Sequence, residues 1–108
     1  MKLQLTPQSL RLRLDEADIQ SLAQNKELSH TLPLGGGPGL TYTLRQLPAA
    51  APGGLAVRYE AGAIVVEVPP ALAQQLLDGS VISLKSEING TDGQLIRILV
   101  EKDLGPSH

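Results

Sequence analysis

A mainly β fold with two short helices (α+β), made of duplicated ββαββ units that close a small antiparallel-rich β-barrel, is what this sequence predicts. Three observations carry that expectation. Residues 55–108 retrace the apolar pattern of residues 1–54 at an offset of 54: Leu10, Leu12 and Leu14 fall on Ile64, Val66 and Val68, Leu28 falls on Ile82, and Tyr42 and Leu44 fall on Ile96 and Ile98. Apolar and polar residues alternate over short runs, which is the period of a half-buried strand. Turn-forming residues coincide in the two halves, with Gly36 and Gly39 aligned on Gly90 and Gly93. Only seven of the 54 aligned pairs are identical, so coincidence of physical role carries the repeat rather than identity. Closing the sheet hides its edges and buries the alternating face.

Each element follows in order. Leu3 and Leu5, then Leu10, Leu12 and Leu14, alternate with polar neighbours around Thr6-Pro7-Gln8-Ser9, predicting a hairpin of strands 2–5 and 9–14. Arg11 and Arg13 share its outer face. Asp15 caps a helix over about 16–24, with Asp18 at its third position and Ile19, Leu22 and Ala23 as its buried stripe. Asn25 ends that helix and aligns with Gly79, and both residue types tolerate the left-handed conformation. A strand at 28–34 places Leu28, His30, Leu32 and Leu34 on one side, and Gly35–Gly39 turns the chain into a strand at 40–47. Residues 49–54, Ala-Ala-Ala-Pro-Gly-Gly, form the most linker-like stretch and sit at the repeat boundary. Strands at 55–60 and 63–68 follow. Pro69-Pro70 opens a helix over 70–77 with Leu72, Ala73, Leu76 and Leu77 inward, and strands at 81–87 and 94–102 turn at Asn89-Gly90 and Asp92-Gly93. The helices cap the barrel openings. The chain is one domain, 1–108, made of pseudo-repeats 1–54 and 55–108.

Composition narrows the chemistry. With two tyrosines and no Phe or Trp, the core is aliphatic, and the stacking platforms of single-strand nucleic-acid binders are missing. The formal net charge is −2, so no global basic field steers the chain to DNA. Residues 1–54 carry five basic and four acidic groups; residues 55–108 carry four and seven. There is no cysteine, hence no thiol nucleophile and no Cys-based metal site. The N-terminal residues have no apolar signal core and no run is long enough to span a bilayer, so a soluble cytoplasmic protein without membrane contact is expected.

Over nearly its whole length the chain resembles a family of small, functionally uncharacterised bacterial proteins. The matching stretches are SLRLRLDEADI at 9–19, LTYTL at 40–44, IVVEVP at 64–69 and ILVEKDL at 98–104. The resemblance implies no activity. Residues 62–100 are also similar to the AbrB/SpoVT-type swapped-hairpin module of bacterial regulators and antitoxins, through a strand, Val68-Pro69, a helix, Gly79, a strand, Asp92-Gly93 and a strand. That similarity implies interleaved modules in one barrel. Where such modules carry basic residues, this chain has Val65, Glu67, Pro70, Ala71 and Ala73, so it bears on architecture more than on DNA binding.

Among candidate chemistries, Gly35-Gly36-Gly37-Pro38-Gly39 lacks the adjacent lysine and following helix of a phosphate loop and reads as a hairpin turn. Asp15-Glu16-Ala17-Asp18 spells a helicase motif but serves as an acidic first helical turn. His30 is the single interior histidine, and His108 is terminal; no metal or cofactor is implied. Arg11 and Arg13, with Lys2, Lys26 and Arg45, are the candidate anion- or nucleic-acid-binding residues, weighed against a plain solvated face. The first expectation is therefore a non-enzymatic binding protein with an unidentified protein or small-molecule partner. A nucleic-acid-binding regulator or antitoxin-type module is the alternative. An enzyme gathering Glu67, Glu87 or Asp92 in a barrel-end pocket is the third.

Overall fold

The computed structural model describes residues 1–48 and 53–103. Alternation produces strands wherever it occurs. Strands β1 (Lys2–Thr6) and β2 (Ser9–Leu14) form the first hairpin, its turn fixed by the Gln8 N–H donating to Thr6 Oγ1 at 3.2 Å. Helix α1 (Glu16–Asn25) starts at the expected Asp15 cap, which the structure completes as a capping box: the Asp18 N–H donates to Asp15 Oδ1 at 2.8 Å, and the Asp15 N–H to Asp18 Oδ2 at 3.0 Å. Strands β3 (Glu27–Leu32), β4 (Leu40–Gln46), β5 (Ala56–Glu60) and β6 (Ala63–Val68) follow. Helix α2 (Pro70–Leu77) has proline in its first turn, where no amide donor is needed, and β7 (Ser83–Asn89) and β8 (Leu95–Lys102) complete the order.

The strands make two four-stranded sheets, β1-β2-β8-β7 and β5-β6-β4-β3. Every hairpin is antiparallel, but the hairpins join through parallel pairs at the centre of each sheet, β2 with β8 and β4 with β6. Each sheet therefore takes one hairpin from each half of the chain. The inward residues of both sheets and both helices form one aliphatic cluster: Leu12, Leu14 and Val100 from the first sheet meet Leu44, Val66 and Val68 from the second, closed by Leu22 and Leu76. Full burial of each such side chain contributes roughly 1.5–3 kcal/mol.

The structure corrects several expectations. The left-handed residue after α1 is Lys26 (φ 64), not Asn25. Leu10 faces Ile98 across β2/β8, and Ile64 faces Tyr42 across β6/β4, so Tyr42 and Ile98, not Tyr42 and Ile96, hold matching register positions in the two sheets. Counted from the helix start, β7 begins two residues later than β3 does: α2 starts at Pro70 and β7 at Ser83, where α1 starts at Glu16 and β3 at Glu27. As a result Leu84 is buried where Ile82 was expected, and Ile82 is 60% exposed. A shift of two residues keeps the same sheet face, which is why the apolar alternation hid it. Ala23 is exposed, and the inner side of α1 is formed by Asp18, Ile19 and Leu22. On edge strand β3, His30 and Leu32 are exposed, as is Leu34 beyond it; only Leu28 packs on the core. Residues 49–52 of the expected linker, and His108, lie outside the described residues.

Candidate anion-binding site

Because successive side chains of a strand point to opposite faces, the residues between the buried leucines of β2 point outward. Register then carries this face across all four strands. One row reads Lys2, Arg13, Glu101, Ser83; the next reads Gln4, Arg11, Leu99, Lys85; the third reads Thr6, Ser9, Arg97, Glu87. Five cations thus stand on this face against two carboxylates, in a chain whose net charge is −2. The charge is local, and the parallel β2/β8 pair creates it.

The five cations are not equivalent. Glu101 Oε1 lies 2.8 Å from Arg13 Nε and 3.4 Å from Arg11 Nε, and Lys2 Nζ lies 3.4 Å from Asp103 Oδ2. The hydrogen bond to Glu101 is the main reason the Arg13 pKa is raised; partial desolvation opposes it. Lys85 and Arg97 make no ion pair among the described residues. Together with Arg11 they surround Leu99 at a concavity of about 420 Å³, which Ser9 and Glu87 also line. With strands about 4.8 Å apart, the backbones of Arg11 and Lys85 stand about 10 Å from each other with Leu99 between them. A negatively charged group of a few ångströms fits among these three cations, and an apolar portion can rest on Leu99.

Of the five residues singled out from sequence, Lys2, Arg11 and Arg13 come together on this face. Lys26 and Arg45 do not join them. Lys26 caps α1 next to the second sheet, and Arg45 lies on that sheet's outer face with its Nε 2.7 Å from Glu27 Oε1. The second sheet has its own concavity of about 280 Å³, but there Arg58 lies 3.6 Å from Glu60 and 3.8 Å from Glu67. Its charges are matched within the protein.

The carboxylates considered for catalysis are also apart. Glu67 is on the second sheet and Glu87 on the first, while Asp92 sits in the β7–β8 turn and accepts the Gln94 N–H at 3.0 Å. No group of three or more His, Asp or Glu among the described residues is placed to hold a metal ion. His30 stacks on Tyr42 with ring centroids 5.8 Å apart, and no helix among the described residues is long and apolar enough to cross a membrane. The glycine run forms the β3–β4 loop. At Gly39 (φ +85) a Cβ would stand 2.6 Å from the Leu32 carbonyl oxygen, so glycine is required there by the turn itself.

Lys85 and Arg97 were missed by sequence reasoning. Their alternation with apolar neighbours marks them as outward, but nothing local tells that β8 lies beside β2.

Fold and site define the class: a small protein of two mixed four-stranded sheets with one basic sheet face. The chain belongs to the Family of unknown function (DUF7009), whose family model matches residues 1–105. No curated protein and no solved structure matches it.

Proposed function

We propose that this chain is a non-enzymatic binding protein that receives a small anionic ligand on the outer face of its first sheet. The observation that carries this reading is the convergence of Arg11, Lys85 and Arg97 around Leu99 at a concavity of about 420 Å³, a volume in the range of small-molecule sites. Guanidinium and ammonium groups keep their charge at neutral pH, and their N–H groups donate to phosphate or carboxylate oxygens. They hold an anion without taking its proton or attacking it.

We also read the architecture as a duplicated ββαββ unit closed into a barrel. Equivalent hairpins occupy equivalent places in the two sheets, which supports it. So do two bonds tying one sheet to the other, the Leu55 N–H to Ser86 Oγ at 2.8 Å and the Tyr42 hydroxyl to the Met1 carbonyl at 3.3 Å.

The test is an NMR titration of the full chain with methyl phosphate at low salt. The expected result is shifts confined to residues 9–11, 85–87 and 97–99, abolished in the K85A/R97A double variant and retained in R45A. Shifts around Lys26 and Arg45 instead, or none anywhere, overturn the reading. A parallel anisotropy titration with mixed-sequence duplex DNA, at about 50 and 200 mM salt, addresses the regulator alternative. Tight binding that collapses at the higher salt and weakens in R11A would replace a small ligand by nucleic acid.

A further inference from the structure

Glu87 is the one carboxylate at this concavity, and the binding reading above does not use it. It faces Arg97 in register across β7/β8, yet among the described residues no cation lies within ion-pair distance of it. It is exposed, so it remains available to a ligand. Lys85 lies two residues away on the same strand face, about 6.7 Å along the backbone. A purely anionic ligand held by Lys85, Arg97 and Arg11 would therefore sit beside an uncompensated negative charge. A ligand carrying a positive group a few ångströms from its anionic one would instead satisfy both.

Resting on the anion-binding reading, we propose that the site selects a phosphate ester bearing an ammonium group on a short carbon chain, with the phosphate among Arg11, Lys85 and Arg97 and the ammonium at Glu87. Phosphate oxygens accept from the guanidinium and ammonium donors, while the ligand's N–H groups donate to the Glu87 carboxylate. No bond is made or broken. Leu99, between Arg11 and Lys85, gives the methylene chain an apolar rest.

Methyl phosphate and O-phosphoethanolamine, titrated into the full chain by calorimetry or NMR, test this. O-phosphoethanolamine is expected to bind about fivefold more tightly, the worth of one solvent-exposed ion pair at contact distance. In E87Q the preference disappears, and methyl phosphate binds at least as well as before because a repulsive charge is gone. E60Q, which alters an exposed carboxylate on the other sheet, keeps the preference. Equal binding of the two probes by the unaltered protein overturns this inference and leaves the anion site standing. Failure of both probes to bind overturns the anion site and this inference with it. Because the same chemistry occurs in a lipid headgroup, co-sedimentation with phosphatidylethanolamine-containing vesicles is the second arm. Sedimentation lost in E87Q assigns the ligand to a membrane surface, and free O-phosphoethanolamine binding without sedimentation assigns it to solution.

Discussion

Replacing Glu101 by glutamine turns the basic face into a quantitative test. Glu101 Oε1 engages both Arg13 and Arg11, so the variant removes one negative charge and loosens a guanidinium at the concavity, while the amide keeps the shape and an acceptor oxygen. Along β8, Glu101 is two residues from Leu99, about 7 Å. At that distance in water a unit charge interacts with another by roughly 0.6 kcal/mol, hence roughly 1.2 kcal/mol with a dianionic phosphate over Leu99. At about 10 mM ionic strength the screening length of roughly 30 Å leaves about four-fifths of this, or roughly fivefold tighter binding. At about 0.15 M the length of roughly 8 Å leaves under half, or roughly twofold. The assay is calorimetric titration of methyl phosphate into both proteins at the two ionic strengths. Urea unfolding of the same samples checks the fold, and its midpoint is expected to move little because the pair is only partly buried and the glutamine amide keeps an acceptor for Arg13. Unchanged or weaker binding at low salt, or a gain that does not shrink as salt rises, refutes the reasoning.

Two further outcomes follow from the fold. Asp18 is buried, and its Oδ2 lies 2.8 Å from the Met1 ammonium. Burial alone would raise its pKa, but hydrogen bonds from the ammonium and the Asp15 N–H, with the ammonium's charge, hold it below the usual carboxylate value. D18A is therefore expected to lose about 1–2 kcal/mol of stability at pH 7 in denaturant unfolding, the worth of the charge-assisted hydrogen bonds its carboxylate accepts from the Met1 ammonium and the Asp15 N–H. Because the folded pKa is the lower one, the carboxylate's contribution is complete above about pH 4 and fades as pH falls through the folded value. The stability gap between wild type and D18A must close in acid; a gap that widens there contradicts the assignment. Cutting the chain between Pro48 and Gly53 is expected to give halves that do not form stable folded monomers by themselves but recover native circular dichroism when mixed, since each sheet needs a hairpin from both. Cooperative unfolding of one isolated half as a monomer would contradict that.

Much of the local structure was legible. Alternation marked all eight strands, and Asp15 with Asp18 and Pro69-Pro70 marked the starts of both helices, because caps and periods act within a few residues of themselves. Edge strand β3 was misread on the same logic: its leucines alternate correctly, but only packing against a neighbour buries a residue, and beyond Leu28 no neighbour among the described residues covers them. The two-residue difference between helix start and following strand escaped because a shift of two preserves facing.

Local pattern in the chain was enough for the order ββαββββαββ, the aliphatic core and the outward direction of Arg11 and Arg13. Tertiary structure alone decided that β2 lies parallel to β8, 88 residues later, and β4 parallel to β6. Any strand with one apolar face can pair with another, so partner choice rests on how all the inward faces pack at once rather than on local pattern. That choice set Arg11 beside Arg97 and Lys85 and sent Lys26 and Arg45 elsewhere. The concavity with its uncompensated cations is a property of strand order.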